Sequence, residues 1–250
     1  MRYNREVWHE AFDSACMNEP STRPFSIDPE TESKRIHWEK EQDVLIAGEP
    51  SRCIYMSRDA WLARYKILHD GSRQIIDFVL PGDIFGLQAC VFRSSLYTVT
   101  AITSGTGWQI DCDGLDAAVP LGKRVIWALL VDSTRIAEHL TNTGRRSGYQ
   151  RVAHLLLELH VRLKRIAQVD GGTFSTPLTQ ELITDALGLT TIHTNRMMRL
   201  LCEQGLITVE RKKFTILDFD RLARTCDFDP TYLGERADVS FISDAALPHP

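Results

Sequence analysis

The stretch LTQELITDALGLTTIHTNRMMRLLCEQGLI, residues 178–207, constrains this chain more than any other. Thr179 suits a helix N-cap, because its side-chain oxygen can accept a free N–H of the first turn, and the helix it opens runs to Leu187. Leu182, Ile183, Ala186 and Leu187 give that helix one apolar stripe. Gly188 permits a sharp turn, Leu189 packs inward, and Thr190 caps a second helix of about four turns. Gly205 stands where a helix end favours a left-handed residue. Two short helices joined by a tight turn containing glycine make a helix-turn-helix.

The second helix is expected to bury Thr194, Met198 and Leu201 and to turn Thr191, Ile192, Asn195, Arg196 and Arg199 outward. In this motif the front of the second helix enters a DNA major groove. Arginine can bond two acceptors on guanine, and asparagine can pair with adenine through two bonds. Thr190 and the free N–H groups of the first turn suit a phosphate. After Leu206, ITVE and FTIL read as two strands joined by Arg211, Lys212 and Lys213. Cations on such a wing meet backbone phosphate, a contact that ignores sequence and weakens with salt. The charge distribution agrees. Residues 144–224 hold 13 Lys and Arg against 8 Asp and Glu, whereas the rest of the chain holds 16 against 25.

The remainder reads as α+β. Residues 1–30 form an extension and 31–119 a β-barrel, because short apolar runs separated by turns begin at Asp43. In WLARYKILHDGSRQIIDFVL the Asp70-Gly71 pair predicts a tight hairpin. A helix over 120–144 carries Val125, Leu129, Ile136 and Leu140 on one face, with more apolar residues beside them. A helix apolar around so much of its girth must bury two sides, one on the barrel and one on a second copy of the chain. Asp132 interrupts that seam, so no ideal heptad zipper is expected. GRRSG, residues 144–148, reads as a hinge, and YQRVAHLLLELHVRLKRIAQ as a second amphipathic helix. VDGGTFSTP reads as a loop. The helix-turn-helix and its wing complete a domain over 145–224, followed by an acidic tail over 225–250.

Several classes are excluded. The longest apolar run, Val125 to Val131, is far short of the roughly 18 residues of a membrane span. The N-terminal MRYNREVWHEAF lacks the apolar core of a signal peptide, so a cytoplasmic protein is expected. The six cysteines include no CxxC pair, so neither a metal site nor a disulfide framework is expected. HExxH, phosphate-loop and GxSxG motifs are absent, as is a paired-carboxylate arrangement, so no enzyme is expected.

The 178–207 stretch, with GEPSRCIYM, WLARYKILHDGSRQIIDFVLPGDIFGL and GRRSGYQRVAHLLLEL, resembles the Crp/Fnr family of bacterial transcription regulators over about residues 40–225, and especially its FixK-type branch. The resemblance implies a cyclic-nucleotide-binding-type jelly roll, a dimerisation helix and a winged helix-turn-helix, bound to a palindromic site as a homodimer, with RNA polymerase as a partner. It places Thr191, Ile192, Asn195 and Arg196 at bases and Thr179, Thr190, His193 and Arg199 nearer phosphate. Members that bind cyclic AMP carry Gly-Glu and then Arg-Ser in the barrel. Here Leu87 stands for the Glu, and Tyr97-Thr98 stand about where Arg-Ser would be. An anionic phosphate buried without a cation is costly, so cyclic AMP is not expected. Arg93 is the one nearby substitute. Cys16 alone cannot hold an iron–sulfur cluster, and His37, His69 and Cys90 show no haem spacing. Cys202 is a candidate redox switch by the same likeness. The competing reading is a small-molecule or redox sensor acting through protein contacts instead of DNA.

Overall fold

The computed structural model describes residues 33–114 and 120–234; Cys16, the extension 1–30 and the tail beyond Gly234 lie outside them. The chain opens with β1 (Ser33–Trp38), β2 (Asp43–Leu45), β3 (Cys53–Ser57), β4 (Leu62–Ile67), β5 (Arg73–Val79) and β6 (Ile84–Phe85). The short helix α1 (Ala89–Phe92) is followed by β7 (Thr98–Ala101) and β8 (Gly105–Asp111). These strands form two antiparallel sheets, ordered β1-β8-β3-β6 and β2-β7-β4-β5. Trp38, Leu45, Leu62, Val79, Phe85 and Val99 fill the space between the sheets. Asp70-Gly71 lies in the connection between β4 and β5, as expected. That connection is a five-residue loop, because the last paired residues are Ile67 and Arg73.

Helix α2 (Pro120–Arg145) leaves the barrel and is followed by α3 (Gly148–Arg165). Then come β9 (Val169–Asp170), β10 (Thr173–Ser175), α4 (Gln180–Leu187), α5 (Thr191–Glu203), β11 (Ile207–Glu210), β12 (Lys213–Ile216) and α6 (Phe219–Cys226). Every residue of α3 from Val152 to Leu163 is buried, because barrel, helices and sheet pack on it from all sides. VDGGTFSTP is not a plain loop. Val169–Asp170 and Thr173–Ser175 pair as strands and extend the β11–β12 hairpin into a sheet of order β11-β12-β10-β9.

Three sequence expectations change here. Val125 points into the barrel-side cluster with Ile54, Ile84 and Ile110, so it cannot face a second copy. The exposed side of α2 instead carries Leu129, Leu130, Ser133, Ala137, Leu140 and Thr141, with Ile136 half-buried. The break between helices expected over 144–148 narrows to Arg146 and Ser147. Helix α2 runs on through Gly144, and Ser147 caps α3 with a complete capping box. Arg146 between them bonds the carbonyls of Cys226 (2.7 Å) and Asp227 (3.1 Å) and the Glu138 carboxylate (2.7 Å).

The third change concerns residues after Thr225. The chain folds back as a 3₁₀ turn, Pro230–Leu233, that straps α2 to α3. Phe228, Pro230 and Leu233 are buried. The Tyr232 hydroxyl donates to Glu158 (2.8 Å), Thr134 donates to the Tyr232 carbonyl (2.7 Å), and Arg165 donates to the Leu233 carbonyl (2.7 Å). Gly234 ends the strap against Trp127, where a Cβ would stand 2.9 Å from the ring.

Barrel, α2 and α3 meet at a buried charge cluster. Arg64 of β4 makes a two-pronged pair with Asp132 of α2 at 3.0 and 2.7 Å, which explains the acid in that apolar seam. Arg162 of α3 bonds Asp77 (3.1 Å), Glu158 (3.0 Å), Asp83 (2.6 Å) and the Phe78 carbonyl (2.6 Å). Both ring nitrogens of His139 face acceptors, the Ile76 carbonyl and Glu158, each at 2.8 Å. Two donors are needed there, so the ring is an imidazolium. Burial opposes that charge, but Glu158 and Asp77 outweigh it and lift the His139 pKa to about 9. Burial would likewise raise the Glu158 carboxyl, yet His139 and Arg162 hold it well below the usual range. Asp77, His139 and Glu158 stand close enough to share a metal ion, but guanidinium groups, the tyrosine hydroxyl and one another already engage their donor atoms.

Candidate nucleic-acid interface

Helices α4 and α5 meet at the turn that the sequence marks. Thr179 caps α4 by accepting from the Leu182 N–H, and Thr190 caps α5 by accepting from the His193 N–H, each at 3.3 Å. Gly188 between them is left-handed at φ +60°, a conformation most side chains resist. The frame around this pair is stiff. Arg73 at the start of β5 bonds Asp185 (2.7 Å) and Glu181 (3.0 Å), tying α4 to the barrel. Arg151 of α3 donates to the Leu187 carbonyl at 3.1 Å, a cation placed at the negative end of α4. Tyr149 and Arg221 hold the C-terminus of α5 through Gln204, at 2.6 and 3.3 Å.

Held this way, α5 buries Thr194, Met197 and Leu201. Met197 takes the inward place expected for Met198, which is half-buried. Thr191, Ile192, Asn195, Arg196 and Arg199 are exposed together. Ile192 is 83% exposed, far beyond what an isoleucine gains from its own fold. Neither Arg196 nor Arg199 forms an ion pair among the described residues. Both capping threonines are exposed, with their hydroxyl protons still available.

His193 departs from its expected place. Its ring turns back against α3, so close to Gly148 that a Cβ there would stand 2.3 Å from Nε2. The ring packs two helices together instead of reaching outward. The wing differs in detail too. Arg211, with φ +57°, and Lys212 form the tip, whereas Lys213 is the first residue of β12, opposite Glu210. All three cations are exposed. Cys202 is half-buried, and burial together with Glu203 raises its thiol pKa. A reactive cysteine needs the opposite shift, so its surroundings give no support to a redox switch.

Sequence reasoning missed one contact within the interface. Gln180, the first residue of α4, donates its side-chain amide to the Asn195 side-chain oxygen across the turn. Its only sequence signal is two amide residues facing one groove from neighbouring helices.

Comparison with known proteins matches residues 35–119 to the cyclic nucleotide-binding domain and 150–225 to the Crp-like helix-turn-helix domain. The nitrogen fixation regulation protein FixK of Bradyrhizobium diazoefficiens is 26% identical over 195 residues, covering 74% of this chain and 78% of the relative. FixK of Rhizobium meliloti is 28% identical over 187 residues, covering 74% and 84%. Among solved structures, FixK2 from Bradyrhizobium japonicum superposes with a TM-score of 0.70 at 25% identity, covering 77% of this chain and 96% of FixK2. With a barrel of the first kind leading through α2 to a motif of the second, this chain belongs to the Crp/Fnr family of transcription regulators.

Proposed function

We propose that two copies pair along the exposed side of α2 and bind a palindromic DNA site, each placing the front of α5 in a major groove. The barrel (31–119) is the sensor domain, the helix over 120–144 the dimerisation element, and 145–224 the DNA-binding domain. Thr191, Ile192, Asn195 and Arg196 read base edges. Thr179, Thr190, Arg199, Arg211, Lys212 and Lys213 meet phosphate. Leu129, Leu140 and the half-buried Ile136 belong to the pairing face, joined by Ala137 and Leu130. The observation that carries this reading is the exposed row on α5, where an 83% exposed Ile192 sits beside two unpaired arginines. An isoleucine there suits a thymine methyl group. Such a regulator acts in the cytoplasm with RNA polymerase as its partner, and no catalytic role is assigned to it.

We assign no cyclic nucleotide to the barrel. Leu87 is buried in the cluster that Val125 joins, and the cations beside Tyr97 are Arg64, already paired with Asp132, and the exposed Lys66. Arg93, the nearby substitute, lies at the surface on Asp113.

The test is selection of bound duplexes from a random pool, repeated at two salt concentrations. A two-fold symmetric consensus with half-sites about one helical turn apart, and affinity falling steeply with salt, is expected. Capture of proteins with no enriched sequence would support the protein-contact reading instead.

A further inference from the structure

The bond between Gln180 and Asn195 bears on which base is read. Asn195 lies on the exposed face of α5 next to Arg196, and its side-chain oxygen accepts from the Gln180 amide. An asparagine recognises adenine by accepting from N6 with its oxygen while donating to N7 with its nitrogen. Here the oxygen is engaged from within the protein. What remains to face the groove is the Asn195 Nδ2 group, which only donates. Gln180 is well placed to hold this orientation. It is the first residue of α4, a helix capped by Thr179, clasped by Arg73 through Glu181 and Asp185, and turned by Gly188. The two side chains come from helices whose relative position is fixed.

We propose that Gln180 is a specificity-positioning residue: by occupying the Asn195 oxygen it makes Asn195 a pure donor. Asn195 then selects an acceptor-only edge, guanine through O6 and N7 or thymine through O4, and forgoes the two-bond pairing with adenine. This rests on the DNA-reading role proposed above. Gln180 itself touches no base.

The test uses the full-length protein and a random duplex pool, comparing wild type with Asn195→Ala, Gln180→Ala and Gln180→Glu. Asn195→Ala identifies the base pair concerned as the one position whose preference disappears. Wild type is expected to favour guanine or thymine there by about five- to tenfold, the low end for a specific contact. Gln180→Ala frees the amide to rotate and should reduce that preference to near unity while leaving neighbouring positions unchanged. Gln180→Glu is the sharper variant. A carboxylate cannot donate, so it must accept from the Asn195 nitrogen and turn the oxygen toward the groove. The preference should then move to adenine or cytosine, whose exocyclic amino groups donate. Glutamate also repels phosphate, but that loss is common to all sequences and drops out of a ratio between bases. A merely structural role for Gln180 would not exchange one base for another. If wild type enriches a consensus and neither Gln180 variant alters this position, or if wild type already favours adenine or cytosine there, the proposal is overturned and the DNA-binding function stands. If wild type enriches no sequence at all, the function fails first and this inference with it.

Discussion

Arg196 and Lys212 are both exposed cations, yet their removal should have different effects. Arg196 projects from the front of α5, whereas Lys212 sits at the wing tip. Arg196→Ala is expected to lose about 1–3 kcal/mol of discrimination at one base position. Lys212→Ala should weaken all sequences alike and lower the slope of log K against log salt by about one. Equal losses on specific and random duplexes from both variants, measured by fluorescence anisotropy, would contradict these roles. At this scale the sequence was informative wherever a residue's role follows from its own neighbours. Thr179, Gly188, Thr190 and Gly205 all have the local geometry their types suggest. It misled where two helical faces are nearly equivalent, as with Met197 and Met198. It also misled where a polar ring finds an internal partner surface, as His193 does against Gly148.

Among elements, α2 and the C-terminal strap make separable predictions. The exposed side of α2 carries Leu140, 72% exposed, in line with Leu129, Ser133 and Ala137. Leu140→Arg on both copies should place two cations at the seam and yield a monomer by sedimentation analysis, with α-helical content unchanged. The same change at Val125 should instead disrupt the packing of α2 on the barrel, since that side chain is buried against Ile54, Ile84 and Ile110. In the strap, Phe228 packs edge-on against His154, Phe219 and Tyr232. Phe228→Ala should cost about 3–5 kcal/mol of stability, read from chemical denaturation. Deuterium uptake should rise along both α2 and α3, not only near residue 228. Little of this was legible in the sequence. CDFDPTYLG looks like the start of an acidic tail, and the partners of Tyr232 are Glu158 and Thr134, 74 and 98 positions away. No periodicity within a short window reports contacts at that distance. The helix-turn-helix, by contrast, was readable because nearly all of its organising contacts are local.

The whole molecule is joined through charge at the meeting of barrel, α2 and α3, and that joint has a pH signature. His139 titrates at about 9 in the fold against about 6.5 when unfolded. Its contribution is therefore fully present below about pH 6.5 and is lost as the pH climbs through about 9. Thermal stability should decline over that interval, and His139→Gln should flatten the decline while lowering stability at neutral pH. A decline of the same steepness in the variant would assign the effect to another group. The acid side runs the other way. Glu158 is held well below the usual carboxylate range by His139 and Arg162 despite its burial, so its share is lost on strong acidification. Asp132 shows why such a joint is hard to foresee. Read alone it is a flaw in an apolar stripe, and the two-pronged pair with Arg64, 68 residues earlier, turns it into a partner.

The capped, pinned link between α2 and α3 limits how the proposed pair can adjust to its target. Bending at residues 144–148 would have to break the Arg146 bonds to Cys226, Asp227 and Glu138 or the Ser147 cap. A change in the angle at which the two long helices cross breaks none of these bonds. A helix of 26 residues is about 39 Å long and acts as a lever arm, so a few degrees of scissoring at its middle displace the tips by ångströms. Any signal that tunes this regulator has its greatest mechanical advantage at the waist of the pair.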